Sequence, residues 1–137
     1  MKKTKTKYLG FVFISLIITI IACLPLYRSR LFNGIDLTFH LSRIEGLLTS
    51  IQDHQFPIAL YPYKNYGFGY ISPLFYCDLF LLLPAFLYKV GLPLVLAYKV
   101  EIFLFTFIGV LLMLITIYLV YCSFFYIRIT LFYSLLN

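Results

Sequence analysis

Long apolar runs separated by short polar interruptions set the pattern of this chain. From Leu9 to Leu26 no residue is charged, while Lys2, Lys3, Lys5 and Lys7 precede the run and Arg28 and Arg30 close it. At about 1.5 Å of rise per residue, such a run is long enough to cross a bilayer as a helix. A first span is therefore expected over 9–27.

The stretch 28–70 is the only substantially polar part. Asn33-Gly34 is a turn signal, and Asp36 is placed to act as an N-cap or first-turn residue. Leu37, Leu41, Ile44, Leu48 and Ile51 follow at helical spacing, which predicts an amphipathic helix over 36–52 ended by Gln55-Phe56-Pro57. The segment from Tyr61 to Tyr70 mixes aromatic residues with Gly67, Gly69 and Pro62. It reads as a loop at a membrane interface, with Tyr rings suited to headgroup level.

Beyond it, 71–88 is apolar but interrupted by Pro73, Asp78 and Pro84. Bilayer helices tolerate proline where neighbours satisfy the freed carbonyls, so a second span is expected there. Lys89 to Pro93 forms a tight connection to a third span over 98–121. Residues 122–136 are apolar except for Arg128, and either extend the third span or form a fourth. The predicted fold is all-α: a polytopic membrane protein with three or four transmembrane helices and one amphipathic external helix, in a single membrane region. The abrupt apolar end at Asn137 gives the expectation of an N-terminal piece of a longer protein.

Composition strengthens the membrane reading. Of 137 residues, 63% are hydrophobic and 12% charged, too few polar groups to clothe a soluble domain of this size. The net charge of +6 punctuates the apolar runs instead of forming a stripe, which argues against nucleic acid as a partner. Cys23, Cys77 and Cys122 each sit in an apolar run and read as small buried hydrophobes, not a disulfide or metal framework. Pro25, Leu26 and Tyr27 lack the small residues of a signal cleavage site. Ile20-Ile21-Ala22-Cys23 resembles a lipoprotein box, yet more membrane follows it, so an uncleaved span is expected. Lys2, Lys3, Lys5, Lys7, Lys89 and Lys99 would lie on one side, with Arg28, Arg30, Arg43, Lys64 and Arg128 on the other. The dense N-terminal tail favours a cytoplasmic N-terminus.

Asp36, His40 and Arg43 stand at i, i+4 and i+7 and share one stripe of the predicted helix. On a helix lying flat on the outer leaflet, this stripe would face headgroups or protein. Arg can grip a phosphate bidentately, Asp can act as general base or ligand a divalent metal, and His can shuttle a proton. The structural alternative is a solvated face in which Asp36 caps the helix and pairs with His40 or Arg43. Glu45 and Asp53 fall off the stripe and read as solvated. Asp78 either pairs with Lys99 or a Tyr hydroxyl, or faces a polar cavity. No P-loop, Ser/His/Asp nucleophile pattern or His-x-x-x-His metal motif is present, and Gly67-x-Gly69 lacks a strand–turn–helix context.

Taken in order, Gly34-Ile35-Asp36-Leu37-Thr38-Phe39-His40-Leu41-Ser42-Arg43-Ile44, Phe56-Pro57, Tyr66-Gly67-Phe68-Gly69-Tyr70, Pro73-Leu74-Phe75-Tyr76, Leu83-Pro84 and Ala97-Tyr98-Lys99 form a recognisable series. The series resembles the N-terminal part of bacterial multi-pass "6-pyruvoyl-tetrahydropterin synthase-related" membrane proteins. These are similar to GT-C-type glycosyltransferases that use polyprenyl-phosphate sugars, the YfhO-like proteins among them. The likeness covers about residues 8–105. It implies a bacterial plasma-membrane protein acting on a polyprenyl-phosphate-linked sugar, with Asp36 as base or metal ligand and His40 and Arg43 near the phosphate. It also implies that the remaining transmembrane part is a partner without which the chain is inactive. The competing expectation is a non-enzymatic small membrane subunit or transport-related protein.

Overall fold

A computed structural model describes residues 2–27 and 36–136, with side chains over 8–27 and 36–128. Its elements are helical: α1 (Lys2–Ala22), α2 (Leu37–Gln52), α3 (Leu82–Lys89) and α4 (Leu94–Leu136), with 3-10 turns at Leu24–Tyr27, Asn65–Gly67 and Ser72–Leu74. An isolated antiparallel bridge between Tyr61 and Tyr70 is the one strand-like pairing among the described residues. The Asn33-Gly34 turn lies outside them. The chain divides into two compact units, one of residues 1–27 with 103–137 and the other of residues 28–102.

The all-α expectation agrees with this architecture, but the count of three or four transmembrane helices is corrected. One helix among the described residues, Leu94–Arg128 within α4, is long and apolar enough to cross a membrane. Residues 71–88 do not form a span. They break into the turn Ser72–Leu74, a non-helical stretch and the eight-residue α3. Eight residues rise only about 12 Å, well short of the roughly 30 Å of hydrocarbon. At the break, Arg43 donates to the Cys77 carbonyl and the Asp78 carboxylate.

The 9–27 span is shortened in the same way. Its apolar helical part is Tyr8–Ala22, and the backbone then turns into a 3-10 form around Leu24 and Pro25. A residue before proline is pushed out of the α region, which stops the helix there. At the other end of the chain, α4 starts directly after Pro93 and meets neither proline nor a further glycine beyond Gly109. Nothing divides 122–136 from the preceding residues, so no fourth span begins there.

In the first unit, α1 buries Ser15 and Thr19, and Cys23 just beyond its end is buried too, while Leu9, Phe13, Ile17 and Ile21 stay exposed. Phe11 meets Tyr118 of α4 at a ring separation of 5.3 Å. The most apolar stretch of α4 contains no buried residue. Small residues inside and large apolar residues outside are the reverse of a soluble helix pair, and suit a lipid surround. Of the three cysteines expected to be buried, Cys23 is, while Cys77 and Cys122 are exposed.

In the second unit, α2 packs on α3 through Ile44, Leu47, Tyr61, Leu81 and Ala85, with Leu41, Ile58, Leu94 and Tyr98 around them. The predicted amphipathic helix is thus present, and the protein itself covers much of its aliphatic face. Leu47 is fully buried while Ile51 is exposed, which rotates the buried face towards Arg43. Gly46 sits at the tightest contact, since a Cβ there would come within 2.6 Å of the Tyr61 ring.

Candidate functional site

Burying Ile44, Leu47 and Leu48 draws Arg43 inside, because Arg43 and Leu47 are one turn apart on the same edge of α2. Its side chain is 5% exposed. A buried guanidinium requires a counter-charge and hydrogen bonds. Arg43 finds both: its Nε donates to Asp78 Oδ1 at 3.1 Å, its Nη2 donates to the same oxygen, and Nη2 also donates to the Cys77 carbonyl at 3.2 Å. The rings of Phe39 and Tyr76 lie 5.3 and 5.1 Å from the guanidinium carbon, adding cation–π contact on this charge.

The second oxygen of Asp78 accepts from the Tyr61 hydroxyl at 2.5 Å. Burial, chiefly, raises the Tyr61 phenol above its ordinary value of 10.0, and the hydrogen bond and negative charge of Asp78 raise it further. Tyr61 is therefore a firm donor to Asp78 at neutral pH. Of the alternatives for Asp78, a Tyr hydroxyl does hold it, alongside Arg43. The result is a closed Arg43–Asp78–Tyr61 network in which each member satisfies another.

The three residues of the predicted stripe occupy different surroundings. Asp36 takes the N-cap position of α2 but forms no side-chain capping bond, and it is exposed. His40 is half-buried, stacked on Tyr98 at 6.2 Å and edge-on to Phe39 at 5.5 Å. Arg43 is committed to Asp78. The helix carries all three, but the Arg43 side chain is turned to the interior network and Asp36 to the outside. For a divalent metal, Asp36 offers one carboxylate, and no group of three His, Cys, Asp or Glu side chains is assembled among the described residues. Magnesium-type ions keep water and phosphate ligands beside one or two carboxylates, so a metal at Asp36 would take its remaining oxygen ligands from elsewhere.

Two pairs stand outside the network. Lys64 Nζ donates to Glu45 Oε2 at 2.9 Å, so Glu45 is paired and not merely solvated. Asp53, beyond the end of α2, accepts from the exposed Tyr63 hydroxyl and raises its pKa. Glu45, Thr49, Gln52, Tyr63, Lys64 and Tyr88 rim an open cleft of about 360 Å³. In α4, Glu101 is 5% exposed and its Oε2 has no hydrogen-bond partner.

Sequence reasoning missed Tyr61 as the partner that completes the network. One signal pointed to it: an isolated glycine, Gly46, inside a strong helical pattern marks a close approach by something large. No family model, curated protein or solved structure matches the chain.

Proposed function

We propose that this protein is a non-enzymatic membrane subunit, held in the bilayer by α4. One observation carries the reading. The arginine that would bind a substrate phosphate is buried and neutralised by Asp78. A guanidinium that leaves this pair for a phosphate would strand a buried carboxylate, an exchange that costs several kcal/mol by the usual penalty for breaking a buried ion pair (about 3–5 kcal/mol). The membrane in this proposal is the bacterial plasma membrane, with the lysine-rich N-terminus in the cytoplasm.

A second reading rests on Asp36, which is exposed and whose carboxylate makes no capping bond. In it, the chain is the N-terminal part of a GT-C-like glycosyltransferase and Asp36 is the base, completed by further membrane helices. Reconstitution separates the two. The subunit reading expects liposomes containing the full chain and a polyprenyl-phosphate-linked hexose to show neither transfer nor release of sugar above protein-free liposomes. Turnover that disappears in Asp36→Asn would overturn the subunit reading in favour of the enzyme.

A further inference from the structure

The loop between Tyr61 and Tyr70 is built to be rigid and to face away from its own unit. Tyr61 and Tyr70 exchange both backbone hydrogen bonds, at 2.9 and 3.1 Å. Inside this closure, the N–H groups of Gly67 and Gly69 donate to the Lys64 carbonyl and that of Phe68 to Asn65, at 3.3, 2.9 and 3.1 Å. The Asn65 amide adds a bond to the Gly69 carbonyl at 3.3 Å. Asn65 and Tyr66 hold left-handed backbone angles, φ 54° and 58°, that non-glycine residues rarely adopt. The base is pinned at two points, Tyr61 to Asp78 and Lys64 to Glu45.

What the loop holds out is apolar. Tyr66 is 103% exposed and Phe68 is 91% exposed. Burying aromatic side chains is favourable, so two rings held out by a rigid turn leave a favourable contribution unused. Two properties say what covers them. The tip's N–H groups from Gly67 to Gly69 are bonded within the loop and its one charge, Lys64, is paired, which lowers the penalty for entering a less polar medium. In addition, this unit includes Leu94–Ile102, the opening turns of the helix that continues as the membrane-crossing candidate. The 35 residues of Leu94–Arg128 rise about 52 Å, more than the roughly 40–45 Å of a whole bilayer with its headgroups. The loop's unit is thus joined, through the helix itself, to the segment proposed to cross the membrane.

We propose that Tyr66 and Phe68 insert into the interfacial layer of the same membrane, as a second, non-spanning attachment whose ligand is the lipid bilayer itself. This rests on the membrane reading of α4 above. The absence of tryptophan from the chain makes a clean test, since a single introduced Trp is then the only indole. Full-length Tyr66→Trp, Phe68→Trp and Met113→Trp variants would be reconstituted separately in phosphatidylcholine/phosphatidylglycerol vesicles containing lipids brominated either near the headgroup or deep in the acyl chain.

The proposal expects Trp emission from both loop variants to shift to the blue and to be quenched by the shallow bromines more than by the deep ones. Met113→Trp, on the exposed apolar face of α4, should be quenched best by the deep bromines. Loop emission at the wavelength of free Trp, fully open to aqueous acrylamide, would overturn the insertion while a deeply quenched Met113→Trp leaves the anchor standing. Emission shielded from acrylamide yet untouched by brominated lipid would also overturn it, by assigning the tip to a protein surface such as a second copy. If all three variants are aqueous, the membrane reading itself falls.

Discussion

The two units of this protein place their polar groups by opposite rules. In the unit 28–102, Arg43, Asp78 and Tyr61 are buried or nearly so and satisfy one another, and Ser50 donates to the Leu60 carbonyl at 3.1 Å. In α1, Ser15 and Thr19 are fully buried with hydroxyls that have no hydrogen-bond partner, while the outward faces of α1 and α4 carry Phe13, Ile17, Leu112 and Ile117. The first arrangement is how a chain folds against water: apolar groups inward and each buried charge paired. The second suits an apolar surround, where small residues let helices approach and the large side chains face outward. Ser72 and Glu101 qualify the contrast, since each leaves one buried oxygen without a partner in the polar unit.

The contrast is broken most severely at Asp78. Asp78→Ala leaves the Arg43 guanidinium buried and unpaired, and should cost about 3–5 kcal/mol in a denaturant titration of the detergent-solubilised chain. Replacing both partners, Arg43→Met with Asp78→Leu, should recover most of that loss. If Asp78→Ala left the transition unmoved, the buried pair would not be what holds the unit together.

Tyr61→Phe removes one hydrogen bond to a charged group and should cost about 1.5–3 kcal/mol. It also carries a pH signature. The folded state raises the Tyr61 pKa, so it retains the proton where the unfolded chain has lost it. Its contribution is fully present below the ordinary phenol value of 10.0 and is lost as pH rises beyond it towards the folded value. The wild type should therefore lose stability above pH 10 by a component that Tyr61→Phe lacks.

Gly46→Ala pushes a methyl group into the Tyr61 ring and should destabilise by about 1–3 kcal/mol through overpacking. Hydrogen exchange should show this as faster opening of α2. The smallest effect is expected in the other unit. Ser15→Ala deletes a buried hydroxyl that makes no bond, and should be neutral or stabilising by less than about 1 kcal/mol. A large loss there would mean that the hydroxyl has a partner and that the contrast between the units is weaker than drawn.

Much of α2 was legible in advance because its apolar residues recur at helical spacing, and the observed helix Leu37–Gln52 differs by one residue from the expected start. Which edge of it would be buried was less clear, since Leu47 and Ile51 are equally apolar and only packing chose between them. The aromatic loop was recognisable from its Gly, Pro and Tyr content, although not its closure by the Tyr61–Tyr70 bridge. The stretch 71–88 misled for a definite reason. Hydropathy adds residues one at a time, so the many Leu and Phe outweighed Pro73, Asp78 and Pro84, whose consequences depend on what they touch.

The candidate site divides along the same line. Asp36, His40 and Arg43 share a stripe because 3.6 residues make a turn, and no tertiary information is needed for that. Whether Arg43 is available for an anion depends on Asp78, 35 residues away, and on the Tyr61 hydroxyl that completes the pair. Sequence alone therefore determined that the chain is helical, that it holds a helix apolar enough for a membrane, and where its polar interlude lies. These follow from local composition and periodicity. Tertiary structure decided that, among the described residues, one helix and not three or four has the length to span, and that the interlude's arginine is a core residue, because a buried charge takes its meaning from the partner that the fold brings to it.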